Sequence, residues 1–393
     1  MKPFAKSLPS GSDGRNYGID LLRILTMFFI CVLHICNQGG VVSAVSRSES
    51  PDSYGIVWLL EAITFGSVNI FGMISGYVGY NKSFRFSRPV GIWLELVFYT
   101  VISTILITVY CPELMPFEGW IKAFMPVYYG EYWYMTAYFG MVLLTPFLNA
   151  AASNMKVRTL GFTLAGLLIF FSIMPVLTET SVFGLGGGYS TLWLCVMYLT
   201  GAFLARINKP HPLLTFGAFI FFTLATWLFY LGGEAEFMSY TSVTVIIASA
   251  ALVLTFAQFD IRTKIGKAVI AFAAPSMLAI FIIHVHTFFW DFILKGKAAP
   301  IAGKPPFLMG LEILGAASSV FFICFAVDLV RRFIFWALHI KPLLKKLDLA
   351  AENIYNGVRY DNHGDEQRIK KPDDPSAAET NPAKKTDDND TPE

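Results

Sequence analysis

Ten apolar stretches of about twenty residues each follow one another through most of this chain. They run approximately over 19–37, 55–80, 89–110, 132–153, 158–178, 189–206, 212–231, 240–259, 269–290 and 309–336. About twenty apolar residues are what a helix needs to cross the hydrocarbon of a bilayer, where backbone N–H and C=O groups must be paired within the segment itself. The expected fold is therefore all-α: a polytopic integral membrane protein of about ten transmembrane helices. Charge usage agrees, because only 15% of the 393 residues are charged, against about a quarter in soluble domains. The net charge of +2 is spread over short loops, which leaves no basic patch for nucleic acid. Five cysteines (Cys31, Cys36, Cys111, Cys195, Cys324) show no redox or metal-ligand spacing, so neither a disulfide nor a metal site is expected.

Loop charge orients the bundle. Lys82, Arg85 and Arg88, then Lys156 and Arg158, Arg206 and Lys209, Arg262, Lys264 and Lys267, and Arg331 and Arg332 occupy one set of loops. Glu49, Asp52, Glu113, Glu118, Glu131, Glu179, Glu234 and Glu236 occupy the other. The positive-inside rule puts the basic set and both termini in the cytoplasm. Lys295, Lys297 and Lys304 break this pattern in an outer loop, where they would attract an anionic substrate or lipid. A polar leader over 1–18 precedes the membrane domain of 19–340, and a cytoplasmic tail follows over 341–393. Within the tail, 343–355 has leucines at helical spacing and the Lys345-Lys346 pair of an interfacial helix. From about 360 the composition is that of a disordered chain. No internal repeat of the inverted-repeat transporter kind is visible.

The first run, IDLLRILTMFFICVLHICN, carries Asp20, Arg23 and His34 inside otherwise apolar sequence. A cleaved signal peptide would also explain a basic leader before an apolar run, with Val42-Ser43-Ala44 as the cleavage site. An arginine at its base and a histidine within it argue against that. Ionisable groups at membrane depth are costly and mark functional sites. Arg23 and His34 are eleven positions apart, which puts both on one helix face about 16 Å apart. His34 is a candidate general base and needs a group to orient its ring. Glu61 and Asn69 on the second run reach similar or greater depth, and Glu61 is the better charge match.

Four further features are candidates. Arg85 and Arg88, three residues apart, would form a phosphate clamp if the loop made a helical turn; the plain alternative is positive-inside charge. Gly72-Met73-Ile74-Ser75-Gly76-Tyr77 is either a close helix contact or a backbone-lined ligand cleft. Tyr132, Trp133 and Tyr134 are either an interfacial aromatic belt or a platform for sugar rings. His284 and His286 point to different helical faces, so one of them faces the bundle. Glu95 and Asp328 are the remaining intramembrane acids; pairing with Arg331 or Arg332 accounts for Asp328.

Taken in order, these motifs resemble the acyltransferase-3 family of bacterial membrane O-acyltransferases that modify glycans. The resemblance rests on Asp20-x-x-Arg23, Arg23-x10-His34, Val68-Asn69-Ile70-Phe71 leading into Ser75-Gly76-Tyr77, and Arg85-x-x-Arg88. Tyr132-Trp133-Tyr134 with Leu144-Thr145-Pro146, and Ile283-His284, complete it, over roughly residues 15–340. It implies transfer of an acyl group, acetyl in the first place, from cytoplasmic acyl-coenzyme A to a hydroxyl of a cell-surface or lipid-linked glycan. It also implies residence in the bacterial cytoplasmic membrane and no permanently bound cofactor. By this resemblance His34 is the catalytic base, and Arg23, essential with it for transfer, also helps hold the donor, whose phosphates Arg85 and Arg88 grip. Ser75, Gly76 and Tyr77 are further donor-side candidates, and Glu61, by depth and charge, completes the catalytic set by orienting the His34 ring. Asn69, Trp133, Tyr134 and His284 are then acceptor-side candidates. Some family members carry a fused esterase-like domain; the expectation here is the stand-alone type, acting directly on its acceptor. Two other readings of the polar bundle compete: a transporter or flippase of a glycan precursor, and a membrane domain that binds ligand without turnover.

Overall fold

The structure, a computed structural model, describes residues 14–361 apart from 179, 181 and 182. Among these residues there is helix and no strand. Helix α1 (Tyr17–Asn37) is followed by α2 (Pro51–Phe65) and α3 (Ser67–Gly79), then α4 (Ser87–Tyr110), the short α5 (Phe117–Phe124) and α6 (Trp133–Asn154). Helix α7 (Val157–Leu168) continues through a π-turn to Thr178. The remainder are α8 (Thr191–Arg206), α9 (Pro212–Gly232), α10 (Val243–Ala257), α11 (Lys264–Ala273), α12 (Met277–Val285), α13 (Pro306–Ala337) and α14 (Ile340–Asp361).

Among the described residues, eight segments are long and apolar enough to cross a membrane. The other two expected spans fall on α8 and α10, apolar helices of 16 and 15 residues. Each is about 23 Å long at 1.5 Å per residue, shorter than a usual span. Both sit at the centre of the bundle, with Trp193, Tyr198, Leu252 and Val253 fully buried. The outer helices turn large apolar side chains outward, among them Phe147, Phe162, Leu213 and Phe322. That is the surface a lipid solvent requires.

The second apolar run is not one straight helix. Gly66 divides it into α2 and α3. At the break the Ser67 hydroxyl donates to the Thr64 carbonyl (2.6 Å), and the Ser249 hydroxyl of α10 donates to the Gly66 carbonyl (3.2 Å), which also accepts the Ile70 N–H of α3. A break in a membrane helix persists only when a neighbouring side chain satisfies the exposed backbone in this way.

Helix α1 is the axis of the assembly and packs against α2, α3, α10, α11, α12 and α13. Gly18 lets its first turn lie directly on α10, since a Cβ there would stand 2.1 Å from the Phe256 carbonyl oxygen. Helices α3 and α8 approach as closely. A Cβ at Gly76 would fall 1.8 Å from the Tyr198 oxygen, and one at Gly201 1.8 Å from the Met73 oxygen. The glycine-rich segment of α3 is thus a small-residue helix contact. Gly76, expected at the donor, is spent on packing.

Polar ties gather the basic loops at one end. Asn16 donates to the Ala257 carbonyl, Asn149 to those of Gly79 and Lys82, Arg206 to those of Ala152 and Met155, and Gln258 to that of Pro210. At the opposite end, Gly296 and Ala298 donate to the carbonyls of Gln38 and Gly39. Two of the three lysines in that loop have acidic partners, Lys295 with Asp291 and Lys304 with Glu312. Deep between α4 and α13, Arg331 pairs with Asp328 (2.6 Å) and Glu95 (3.4 Å), and the Tyr99 hydroxyl donates to Asp328 (2.7 Å). All five cysteines are free; Cys31, Cys36, Cys195 and Cys324 are buried, and Cys111 is half-buried at the end of α4.

Helix α14 covers the stretch expected to lie at the interface and leaves Leu343, Leu347, Leu349 and Ile354 exposed. The expected disordered tail beyond it lies outside the described residues.

Replacing Gly201 by Val tests the α3–α8 contact. The added side chain meets the Met73 backbone, which cannot swing aside as a flexible side chain can, so a loss of about 1–3 kcal/mol is expected. Thermal unfolding in detergent checks it: a midpoint equal to that of the wild type would show that the two helices are not so tightly apposed.

Candidate active site

His34 lies one turn before the end of α1 and lines a cavity of about 740 Å³ at the end of the bundle opposite the basic loops. The walls are aromatic: Trp58 and Phe65 from α2, Trp133 and Tyr134 from α6, and Tyr189, Tyr230, Tyr240 and Trp290 from four other segments. Besides Thr287 and the hydroxyls of the wall tyrosines, its polar groups are His34, Asn37 and Gln38 on the α1 side and Glu61 on α2. A cavity with apolar walls and a handful of convergent polar groups is the usual form of a small-molecule site. The break at Gly66 ends α2 just beyond Phe65, so α2 gives its inner face to this cavity while α3 turns into the core.

Within the cavity His34 is held by His284 of α12. The Nδ1 of His34 and the Nε2 of His284 are 2.9 Å apart, and the His284 Nδ1 is 2.5 Å from the Ile280 carbonyl oxygen one turn back. The edge of Trp290 packs on the His34 ring at 5.0 Å. His284 is fully buried and His34 partly so, open on the cavity side. His284 is thus the histidine of the pair that faces the bundle. His286 instead accepts from the Phe288 N–H and caps the next turn.

Two expectations are corrected. Glu61 does not bond His34: its carboxylate accepts from the Asn37 amide (2.8 Å). Glu61 and His34 share depth, as the sequence implied, but α2 presents Glu61 to the Asn37 side of α1. Asn69 is not in the cavity wall at all. It donates to the Tyr240 carbonyl and accepts from the Trp193 indole, 2.8 Å each, and so ties α3 to α8 and to the loop before α10. Trp133 and Tyr134 line the same cavity as His34.

At the basic end, Asp20 binds two arginines, Arg23 at 2.6 Å and Arg15 at 2.5 Å. Arg23 and Tyr77 face a cavity of about 510 Å³ between α1 and α3. A turn runs through the second guanidinium pair, the Arg88 N–H donating to the Arg85 carbonyl (3.1 Å), with α4 starting between the two at Ser87. Arg88 faces a cavity of about 820 Å³ beneath α14 and reaches the Tyr138 hydroxyl of α6 (3.2 Å). Arg85 lies near Asp348 of α14. Burial alone would raise the Asp348 carboxyl, but hydrogen bonds from the Ser87 hydroxyl (2.6 Å) and N–H (2.8 Å), with Arg85 nearby, hold it below its ordinary value. Helix α4 has no cap of its own at Phe86, and Asp348 supplies one from another helix. Ser75 bonds the Phe71 carbonyl within its own helix.

Tyr138 went unnoticed in the sequence because nothing sets it apart from other membrane tyrosines. It is the link between the two ends. Its ring stacks on that of Tyr134 one turn away (5.8 Å, 18° between planes), and Tyr134 in turn meets Phe281, which packs on His284. Arg88 at the basic end is thereby connected through two tyrosines to the cavity that holds His34.

A family model described as an acyltransferase domain matches residues 16–329, four-fifths of the chain. The chain belongs to the acyltransferase-3 family. It is a membrane acyltransferase, and the matched region takes in the residues named in both clusters except Arg15 and those of α14. Searches of curated proteins and of solved structures returned no match.

The Asp348 tie gives a test at the basic end. In Asp348→Ala, hydrogen exchange at Ser87 and the first turn of α4 should quicken several-fold while the core of α8 stays protected. Because the folded carboxyl titrates below its unfolded value, the tie is complete above the ordinary aspartate range of about 4 and is lost as pH falls through the folded value. Exchange in α4 that ignores both the substitution and mild acid would show that α14 does not hold this turn.

Proposed function

We propose that this acyltransferase moves an acyl group, acetyl in the first place, from cytoplasmic acyl-coenzyme A to a hydroxyl of a cell-surface or lipid-linked glycan. The observation that carries the reading is the placement of His34 in an aromatic-walled cavity at one end, with arginines gathered at the other. On this reading the basic end faces the cytoplasm, as loop charge in bacterial inner-membrane proteins would have it. No cofactor is held permanently, and acyl-coenzyme A is a co-substrate.

Each end suits its substrate. Aromatic rings stack on the C–H faces of sugars, and Glu61, Asn37 and Gln38 offer hydrogen bonds to hydroxyls. Arg23 and Arg88 meet phosphate groups with charge-assisted hydrogen bonds. The pantetheine arm is long enough to bring the thioester along the α1–α6 side towards His34, about 16 Å from Arg23 along the helix. In the transfer, His34 takes the proton of the acceptor hydroxyl as its oxygen bonds to the acyl carbon. The carbon–sulfur bond breaks, and the thiolate of coenzyme A receives the proton from His34. The products are an O-acyl sugar and free coenzyme A.

Purified protein given radiolabelled acetyl-coenzyme A and candidate glycans tests the reaction. His34→Ala should lose at least about 100-fold in turnover, and turnover near the wild-type value would remove the base. Arg88→Ala should weaken coenzyme A binding by roughly 10- to 100-fold, the loss of one charge-assisted contact of about 1.5–3 kcal/mol; unchanged affinity in calorimetry would return Arg88 to ordinary loop charge. Glu61→Gln should raise the acceptor KM more than it lowers kcat, since Glu61 faces the cavity and not the histidine pair. A fall confined to kcat would instead make Glu61 part of the chemistry.

A further inference from the structure

The histidine pair has a direction. The Ile280 carbonyl can only accept, so the His284 Nδ1 facing it at 2.5 Å carries a hydrogen. In a neutral ring that leaves the His284 Nε2 as an acceptor. The atom opposite it at 2.9 Å, the Nδ1 of His34, must then be the donor. The reverse arrangement would set a nitrogen lone pair against the carbonyl lone pairs. A doubly protonated His284 would place a cation in a fully buried site where Phe281 and the His34 ring are its aromatic neighbours. With Nδ1 occupied, the lone pair of His34 lies on Nε2, which makes no hydrogen bond to the described residues and belongs to a ring that lines the cavity.

We propose that His284 is a positioning residue: anchored on the Ile280 carbonyl, it fixes His34 with hydrogen on Nδ1 and the basic lone pair of Nε2 in the acceptor cavity. This rests on the proposed role of His34 as base and adds how the ring is set. The proton of the sugar hydroxyl goes to the His34 Nε2 and from there to the departing thiolate. The Nδ1 hydrogen stays on His34 throughout, and His284 neither gains nor loses a proton. Positive charge that develops on the His34 ring is shared along the hydrogen bond to His284, whose own N–H points at a carbonyl dipole. A neutral imidazole stabilises that charge less than a carboxylate would. The proton therefore passes on readily to sulfur, which the second half of the reaction requires. The triad principle is the same as elsewhere, a base oriented by a third group, with a backbone carbonyl and a histidine in place of the acid.

The chain has six histidines, which makes the protonation state directly readable. Two-bond ¹⁵N–¹H correlation on ¹⁵N-histidine-labelled protein in detergent, with His34 assigned by its loss in His34→Gln, should show His34 protonated on Nδ1. This form is the minority one for imidazole in water. The kinetic arm uses His284→Ala and His284→Gln. Alanine should lower kcat about 100-fold with both KM values within about threefold of wild type. Glutamine, which offers an oxygen near the position of Nε2, should recover all but about tenfold. His34 protonated on Nε2 in the wild type, or wild-type kcat in a folded His284→Ala, overturns the proposal. If alanine fails to fold, the labelled wild type and the glutamine variant still decide: Nε2–H on His34, or no turnover in folded His284→Gln, overturns it. Turnover that survives His34→Ala is a separate result and overturns the reading of His34 as base.

Discussion

A bilayer offers no water to a buried polar group, so every such group must find its partner in the protein. Helix α1 carries Asp20, Arg23, His34 and Asn37 within a single span, and no single neighbour can meet them all. Asp20 is met by Arg15 and Arg23, Asn37 by Glu61 of α2, and His34 by His284 of α12. The charges close locally, within α1 and the residues just before it, whereas Asn37 and His34 draw their partners from two different helices. The arrangement of the bundle about α1 follows from that requirement, and the close glycine contacts at Gly18, Gly76 and Gly201 allow the helices to come near enough to meet it.

The same requirement separates what the sequence discloses from what it hides. Run length alone reveals the helices, because an apolar segment in lipid has few other options. The Arg23–His34 face is legible because helical geometry along one segment is fixed. The partner of His34 is not. Depth can be counted along Glu61 and Asn69, but the side of α2 or α3 that meets α1 depends on how the whole bundle turns. His284 lies 250 residues away on a helix whose neighbours no periodicity reveals. The neighbours of Arg85 and Arg88 are hidden for a related reason. A turn runs through both, but Asp348 of α14 and Tyr138 of α6 reach them from distant parts of the chain. The break at Gly66 is equally silent, since a glycine in an apolar run looks the same whether it packs or bends.

Two stacked tyrosines lie between the two ends. Tyr134 and Tyr138 occupy successive turns of α6, with one ring facing the aromatic cavity and the other touching Arg88. The stacked rings thus link the Arg88 side to the aromatic cavity along a single helix. The proposed transfer, from a water-soluble nucleotide thioester to a saccharide on the far face, calls for a narrow passage of this kind, through which a flexible arm can reach.

The burial of the cysteines has a practical side. Four of the five thiols are sealed within the helical interior, and Cys111 alone sits partly open, on the same end as the aromatic cavity. The natural chain therefore carries one addressable handle at a known place. A maleimide too polar to cross lipid, applied to intact cells and then to inverted vesicles, reads from this single residue which way round the protein sits, with no engineered tag to disturb the balance of loop charges.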